Sequence, residues 1–384
     1  MNILVDGIHL DAEMKGVGLY VLNSIIQISI IDPSVELCVV VLDKTQDTFL
    51  PKRGNIQYVY VQWKNHLWHG FHTLPSLVRQ LRPDIVWIPY ETPVAFINRP
   101  FAILCHDIPE EIQRAQSYRR KKSITEYFLG LINRLLLRRT FHNAQIVFAN
   151  SNFVANWLIQ RQGVNPSCIR IAPCAPGADF YKISQTIDRE AVWKKLDMPY
   201  GYILIFYTGD PRENIEIAPE TYNNIVKAGI RCGLVVAGVR GKDRLYINQL
   251  FSGFPWSEQV RIMPFLGVDK VVELAEIYTG ALVYLEPSLH EGFGMQVVEA
   301  MSCGVPIVCS NRGAIPEVVS DAALTVDPIN VLEISEVLIK VLSDNSLQDK
   351  LVSRGYDRAS SFNWTKTARI IYSGLIDGYP NKKN

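Results

Sequence analysis

The sequence predicts an α/β protein built from two doubly wound domains, each a parallel sheet covered by helices on both faces. Three observations carry this. Short β-branched runs are continuously apolar instead of alternating, which marks strands buried on both faces. The gaps between them are long enough for a helix. And the pattern occurs twice, on either side of a stretch punctuated by Pro173, Pro176, Gly177, Pro199 and Gly201.

In the first half the strand-like runs are Ile3–Asp6, Val35–Leu42, Ile56–Val61, Ile85–Ile88, Ala102–Cys105 and Ile146–Ala149. Helix-like stretches lie between them at Gly18–Ile30, Leu74–Leu81, Ser123–Arg139 and Phe153–Gln162. The second half repeats the scheme with strands at Tyr202–Thr208, Leu234–Ala237, Val260–Pro264, Ala281–Leu285, Pro306–Cys309 and Leu324–Val326. Its helices are Asp269–Tyr278 and Leu332–Leu342, and Trp364–Tyr379 follows the sheet. The expected domains are residues 1–178 and 190–364, with Pro173–Pro199 as the linker and Asn381–Asn384 as a frayed tail.

With 384 residues, 48% hydrophobic and 20% charged, either half can bury its own core. A net charge of +1 gives no electrostatic case for nucleic-acid binding. The seven cysteines include no Cys-x-x-Cys pair, and read as reduced thiols of a cytoplasmic protein with no zinc site. Asp6 interrupts any signal-peptide core, and no apolar stretch reaches membrane-spanning length. One local bias stands out. Between Arg114 and Arg139 eight basic residues face one acid, Glu126, and Arg119–Lys122 precede the apolar stretch Tyr127–Leu137. That arrangement suits peripheral contact with an anionic membrane surface through 114–139, or a core helix with a solvated basic edge.

The chemistry concentrates in Glu286–Pro328. The strand ending at Leu285 runs into a loop with Gly292 and Gly294, then a helix from Met295 to Cys303 stopped by Gly304. A glycine-rich turn from a strand's carboxyl end to a helix start is where open α/β sheets bind ligands, and its amides favour phosphate. Glu291 and Glu299 bracket the turn, and carboxylates are good acceptors for paired sugar hydroxyls. Phosphate flanked by sugars describes a nucleotide sugar. Spacing alone fits a solvated helix face equally well.

The wider segment resembles the signature of the family-4 retaining glycosyltransferases of the GT-B fold, the group 1 glycosyltransferases. The match runs through Pro287-Ser288, Glu291-Gly292-Phe293-Gly294, Glu299-Ala300-Met301, Cys303-Gly304-Val305-Pro306, Pro316-Glu317-Val318-Val319, Asp321-Ala322-Ala323 and Asp327-Pro328. Further landmarks resemble the family in order: Gly16-Val17-Gly18 with Tyr20, His106-Asp107, Asn150-Ser151, Gly177-Ala178-Asp179, Pro264-Phe265-Leu266-Gly267, and Phe362-Asn363-Trp364 opening a helix, 365–380, that rejoins the first domain. The resemblance implies two Rossmann-like domains facing a cleft, the first on the acceptor side and the second on the donor side.

It also implies roles. Glu299 would hold the ribose hydroxyls and Glu291 would sit by the transferred sugar. The amides of Phe293, Gly294 and Met295, with Gly292, would line the sugar and diphosphate. Gly16, Val17 and Gly18 would face the phosphates, and Phe265 and Leu266 the base. His106 would contact the sugar at the reacting face. His106 and Glu291 are thus the expected catalytic residues. No metal or other cofactor is implied, and the partners are a nucleotide-sugar donor, UDP-glucose first and GDP-mannose next, and a glycan or lipid-linked acceptor. The expected product is an exopolysaccharide or envelope glycan, made with retention.

The sequence departs from the pattern in one place. Where the family puts an Arg–Lys pair after the first strand of its second domain, this chain has Arg212 followed by Glu213. A carboxylate beside a diphosphate would repel it. Either Arg212 acts alone, or Arg240, Lys242 or Arg244 compensates, or the protein binds the sugar nucleotide without turning it over. His66, His69 and His72, flanked by Trp63 and Trp68, have helical spacing, but no accompanying acid or thiol recommends them as metal ligands. An acceptor-side or surface role suits them better.

Overall fold

The computed structural model describes residues 1–10, 16–42, 49–109, 124–177 and 179–379. The chain forms two compact units. The first holds Met1–Pro109, Arg120–Gly177 and Asn363–Asn384, and the second includes Ala178–Phe362.

The first unit is built on seven parallel strands: β1 (Asn2–Asp6), β2 (Glu36–Val41), β3 (Ile56–Tyr60), β4 (Ile85–Ile88), β5 (Phe101–Cys105), β6 (Ile146–Ala149) and β7 (Ile169–Ile171), in the order β3-β2-β1-β4-β5-β6-β7. Leu4 sits between Cys38 and Val86, so β1 pairs in register with β2 on one side and β4 on the other. The winding direction reverses between β1 and β4, and such a reversal opens a crevice at the strands' carboxyl ends. The strand cores are continuously buried, as the apolar runs require. The helix Trp364–Gly378 belongs to this unit: its Trp364 indole donates to the Pro176 carbonyl at 2.7 Å. A side chain at Gly374 would meet Phe148 at 2.7 Å, so the helix lies directly against the strand layer.

The second unit has six parallel strands: β8 (Tyr202–Phe206), β9 (Gly233–Val239), β10 (Val260–Pro264), β11 (Ala281–Glu286), β12 (Ile307–Ser310) and β13 (Leu324–Val326), in the order β10-β9-β8-β11-β12-β13. The reversal falls between β8 and β11, where Leu204 pairs with Tyr284.

Pro173–Pro199, the expected linker, contains the helices Phe180–Ser184 and Arg189–Leu196, the latter capped by the Asp188 side chain on the Glu190 amide. Gly16-Val17-Gly18 forms the first turn of the helix Gly16–Ile31. The short edge strand β7 and the polar helix Asn345–Ser360 carry weak patterns and escape the sequence reading. Ala178 and the basic residues from Arg114 to Lys122 lie outside the described residues.

Candidate active site

In the first unit the polar groups gather where β1 and β4 diverge. Asp6, the last residue of β1, is fully buried. A buried carboxylate needs partners, and Asp6 has two: the His69 Nε2 lies 3.0 Å from both its oxygens, and the Tyr90 hydroxyl donates at 2.6 Å. Burial pushes the His69 imidazole down, but the Asp6 charge and hydrogen bond outweigh it and hold His69 above its ordinary value.

His106 follows β5. Its turn is organised by Glu91, whose Oε1 accepts the amides of His106 and of Asp107, the latter at 2.6 Å. Burial raises the Glu91 carboxyl to about 7, against the pull of those amides. The His106 ring meets the Pro89 carbonyl at 2.9 Å through Nε2 and stands edge-on to Tyr20 at 4.9 Å. Asn150 donates to the His106 carbonyl at 2.8 Å. Burial drives the imidazole down to about 4, so His106 is neutral near pH 7. A neutral imidazole can donate or accept a hydrogen bond to a hydroxyl but carries no charge. The Asp107 side chain caps the Ile108 amide at 2.9 Å, and the ring is held by Pro89.

In the second unit the loop from Glu286 to Gly294 leaves β11 at the reversal and enters the helix Met295–Ser302. Gly294 takes φ +89°, a left-handed conformation at the helix cap. Gly313, at φ +66°, lets the β12 loop press against Glu291: a Cβ there would lie 2.6 Å from the Glu291 carbonyl oxygen, and the Ala314 amide donates to that oxygen at 2.9 Å. Glu291, Gly292, Phe293, Gly294 and Met295 are therefore held as one turn. Glu299 projects from the helix among buried groups and accepts from the Tyr278 hydroxyl at 2.9 Å. Burial raises its carboxyl to about 7. Glu286, which the sequence reading passed over, is also buried and raised, and accepts from Ser288 at 2.6 Å and from Tyr284.

The turn after β8 engages Glu213 through its own backbone and hydroxyl groups. Its carboxylate is turned into its own turn. It accepts the Thr208 amide at 2.7 Å, the Thr208 hydroxyl at 2.7 Å and the Asp210 amide at 3.1 Å, completing a capping box with Asp210. The same turn braces the Glu286–Gly294 loop: the Leu289 amide donates to the Arg212 carbonyl at 2.7 Å, and the Asn214 amide nitrogen donates to Pro287 and Pro328 carbonyls at 3.2 and 2.8 Å.

The cations divide. Arg212 is paired with Asp210 at 2.8 Å, which offsets part of its charge. Arg240 lies over the Phe265 ring at 5.1 Å, bringing a guanidinium beside the stretch Phe265-Leu266. Lys242 sits exposed in the turn Gly241–Asp243, and Arg244 opens the helix that follows. Arg312, missed in the sequence, stands at the end of β12 and pairs with Asp327 at 2.8 Å.

The expected sites thus fall into two groups. Gly18 and His106 belong to the first unit's edge, and Arg212, Glu291–Met295 and Glu299 to the second's. Asp6, Glu91 and Tyr90 were legible only as an acid ending a strand and as residues just past one. Among the described residues no three His, Cys, Asp or Glu side chains gather as a metal site would require. His66, His69 and His72 part company, because His69 turns inward to Asp6 while the other two stay at the surface.

Two family descriptions match complementary parts of the chain: Glycosyltransferase Family 4 over residues 39–175 and Glycosyl transferases group 1 over 189–358. The chain belongs to the group 1 glycosyltransferases of the GT-B fold. Among its relatives, the O-antigen chain mannosyltransferase B of Escherichia coli is 31% identical over 230 residues, 59% of each chain. The serotype-specific mannosyltransferase WbdA of Escherichia coli is 25% identical over 312 residues, 78% of this chain but 37% of its own length. The chain therefore spans less than two thirds of these relatives. In fold it resembles the sucrose-phosphate synthase of Thermosynechococcus elongatus, with a TM-score of 0.75 at 18% identity over 97% of this chain and 98% of that one.

Proposed function

We propose that this glycosyltransferase moves a hexose from a nucleotide diphosphate sugar to a glycan or lipid-linked acceptor, with retention of anomeric configuration, in the synthesis of a surface polysaccharide. The observation that carries the reading is the braced loop Glu286–Gly294 at the reversal of the second sheet, with Glu291 in the turn and Glu299 buried in the helix behind it. The amides at the helix start suit the diphosphate, and the two carboxyls suit the hydroxyls on either side. In the reaction the bond from the anomeric carbon to the diphosphate oxygen breaks and one to the acceptor oxygen forms. The acceptor proton passes to the departing diphosphate. Stabilising that leaving group is the main task, and Arg212, Arg240, Lys242 and Arg312 are the cations at hand. His106, neutral, serves as a hydrogen-bonding partner of the transferred sugar. The mannosyltransferase relatives tip the donor toward GDP-mannose over UDP-glucose.

The test is nucleotide diphosphate release from GDP-mannose, UDP-glucose, UDP-galactose and UDP-N-acetylglucosamine, without acceptor, beside Glu299→Ala. Release from one donor, lost in the variant, supports the reading and names the sugar. Donor binding without release across a panel of acceptors points to a sugar-nucleotide-binding protein instead.

A peripheral position on the inner face of the membrane is part of the proposal. The helix Ile124–Asn143 exposes Phe128, Leu129, Ile132 and Leu135 beside Arg134, Arg138 and Arg139. Apolar side chains next to arginines suit an anionic bilayer surface. No helix among the described residues is long and apolar enough to cross a membrane. Co-sedimentation with phosphatidylglycerol vesicles at low salt, weakened by Phe128→Ser with Leu135→Ser, checks this. Equal sedimentation of both proteins would sink it.

A further inference from the structure

The carboxyl edge of the first sheet carries two exposed indoles that differ in what covers them. Trp68 is 42% exposed, yet His72 stacks on it at 4.3 Å and the Lys64 ammonium lies 4.1 Å from its ring centre. Trp63 is 41% exposed and is touched differently: His66 meets it edge-on at 4.8 Å and His69 tilts against it at 6.2 Å. Among the described contacts no ring lies flat on Trp63.

Its support is rigid. His69 is the residue clamped by Asp6, and the segment around it is packed so closely that a Cβ on Gly70 would lie 2.1 Å from the Pro93 carbonyl oxygen. From Trp63 a row of rings runs inward along the same edge. His66 stacks on His9 at 6.0 Å, and His9 stands edge-on to Tyr90 at 4.4 Å. One end of the row is thus an indole in water and the other is Tyr90, which donates to the buried Asp6.

The chemistry of the row selects its ligand. Partial desolvation against its ring neighbours, with His69 adding to it, holds His66 below its ordinary value, so it is mostly uncharged near pH 7. Indole and the neutral His66 imidazole offer flat apolar faces with polar rims, which match a pyranose ring: C–H bonds on one face, hydroxyls around the edge. A phosphate or carboxylate would call for guanidinium forks. Lys64, the one cation in this segment, is laid over Trp68 instead.

We infer that Trp63 and His66, backed by His9, seat a neutral pyranose ring of the acceptor glycan, with Trp63 as the stacking face. This rests on the glycosyl-transfer reading above, and the test separates the two. Binding of α-linked mannotriose and of maltotriose to the full chain is followed by calorimetry or ligand-observed NMR, beside nucleotide diphosphate release from the donor alone. Trp63→Ala is expected to weaken trisaccharide binding about tenfold, and Trp63→Tyr to recover most of it. Trp68→Ala should leave binding unchanged, and all three should release nucleotide diphosphate without acceptor at the wild-type rate. His66→Ala should weaken binding in the same direction, which guards against an unfolded Trp63→Ala. Binding of either trisaccharide that depends on Trp63 supports the seat and identifies the sugar it prefers. Wild-type protein that binds neither, or a Trp63→Ala protein that binds as well as wild type, overturns it. Loss of donor turnover in wild type, with trisaccharide binding intact, would sink the transfer reading and leave the seat standing.

Discussion

Both sheets reverse their winding between their first and fourth strands, and both gather polar side chains at that reversal, but with opposite chemistry. The first unit sets a fully buried carboxylate, Asp6, against an imidazole and a phenol, beside histidines and indoles. The second sets Glu213, Glu286 and Glu299 among hydroxyls and amides. The same topology thus supplies the place and the side chains supply the use. An edge of aromatic rings suits a sugar's faces. An edge of carboxyls beside a glycine turn suits hydroxyls on either side of a diphosphate.

The comparison can be broken kinetically. On the proposed reading, Glu299→Ala removes charge-assisted bonds to the ribose that act in ground and transition states alike, at about 1.5–3 kcal/mol each. Two such bonds predict a donor KM or Kd raised about 10²-fold or more. His106→Ala removes a contact expected at the reacting centre, so kcat is expected to fall about 10²-fold with donor binding little changed. Should both variants move the same constant, the division between a binding edge and a reacting edge is wrong. Because His106 titrates only near 4, wild-type activity is not expected to fall through its protonation between pH 8 and pH 5.5. A loss near pH 6.5 that His106→Gln abolishes would contradict the neutral ring.

Glu213 sharpens the comparison within the second edge. Placing the family's lysine there, Glu213→Lys, leaves the Thr208 amide, the Thr208 hydroxyl and the Asp210 amide without their acceptor. Each unmade bond in a buried turn costs about 1–3 kcal/mol. The variant is expected to be several kcal/mol less stable and to bind donor more weakly, because the turn braces Leu289 and Pro287. Glu213→Gln keeps acceptor oxygen and should lose far less. Tighter donor binding by Glu213→Lys would mean that the carboxylate does oppose the diphosphate after all.

The sequence showed both sheets because buried parallel strands leave an uninterrupted apolar record: Ile85–Ile88 and Ile146–Ala149 are read correctly to the residue. The Glu286–Pro328 segment stood out for a similar reason, its loop being set by glycines that only a few backbone shapes require. What stayed hidden depends on contacts far apart in the chain. Nothing near Asp6 announces His69, 63 residues away. The inward turn of Glu213 depends on a capping box that its neighbours allow but do not dictate, and family expectation pointed the other way. Glu91 was invisible because its task is to hold the backbone of His106 and Asp107, 15 and 16 residues on.

The smallest expected effect tests burial at the two edges together. Glu91 in the first unit, and Glu213 and Glu299 in the second, are raised to about 7 by burial. Their folded-state values lie above the unfolded ones, so the folded protein holds protons that the unfolded chain releases. Stability from these groups is greatest below the ordinary carboxyl range and declines as pH rises toward 7, by on the order of 1 kcal/mol per pH unit for each group while it is offset. His106 works in the opposite sense: its lowered value costs stability as pH falls from about 6.5 toward 4. Between pH 6.5 and 7.5 the carboxyls act without that opposition, so the melting temperature should fall by a few degrees on raising the pH. Glu91→Gln should reduce the slope in this window, since it removes one of the contributing groups. A melting temperature that rises across this window would show that the carboxyls are already ionised in the folded protein, and that the second edge is wetter than its packing indicates.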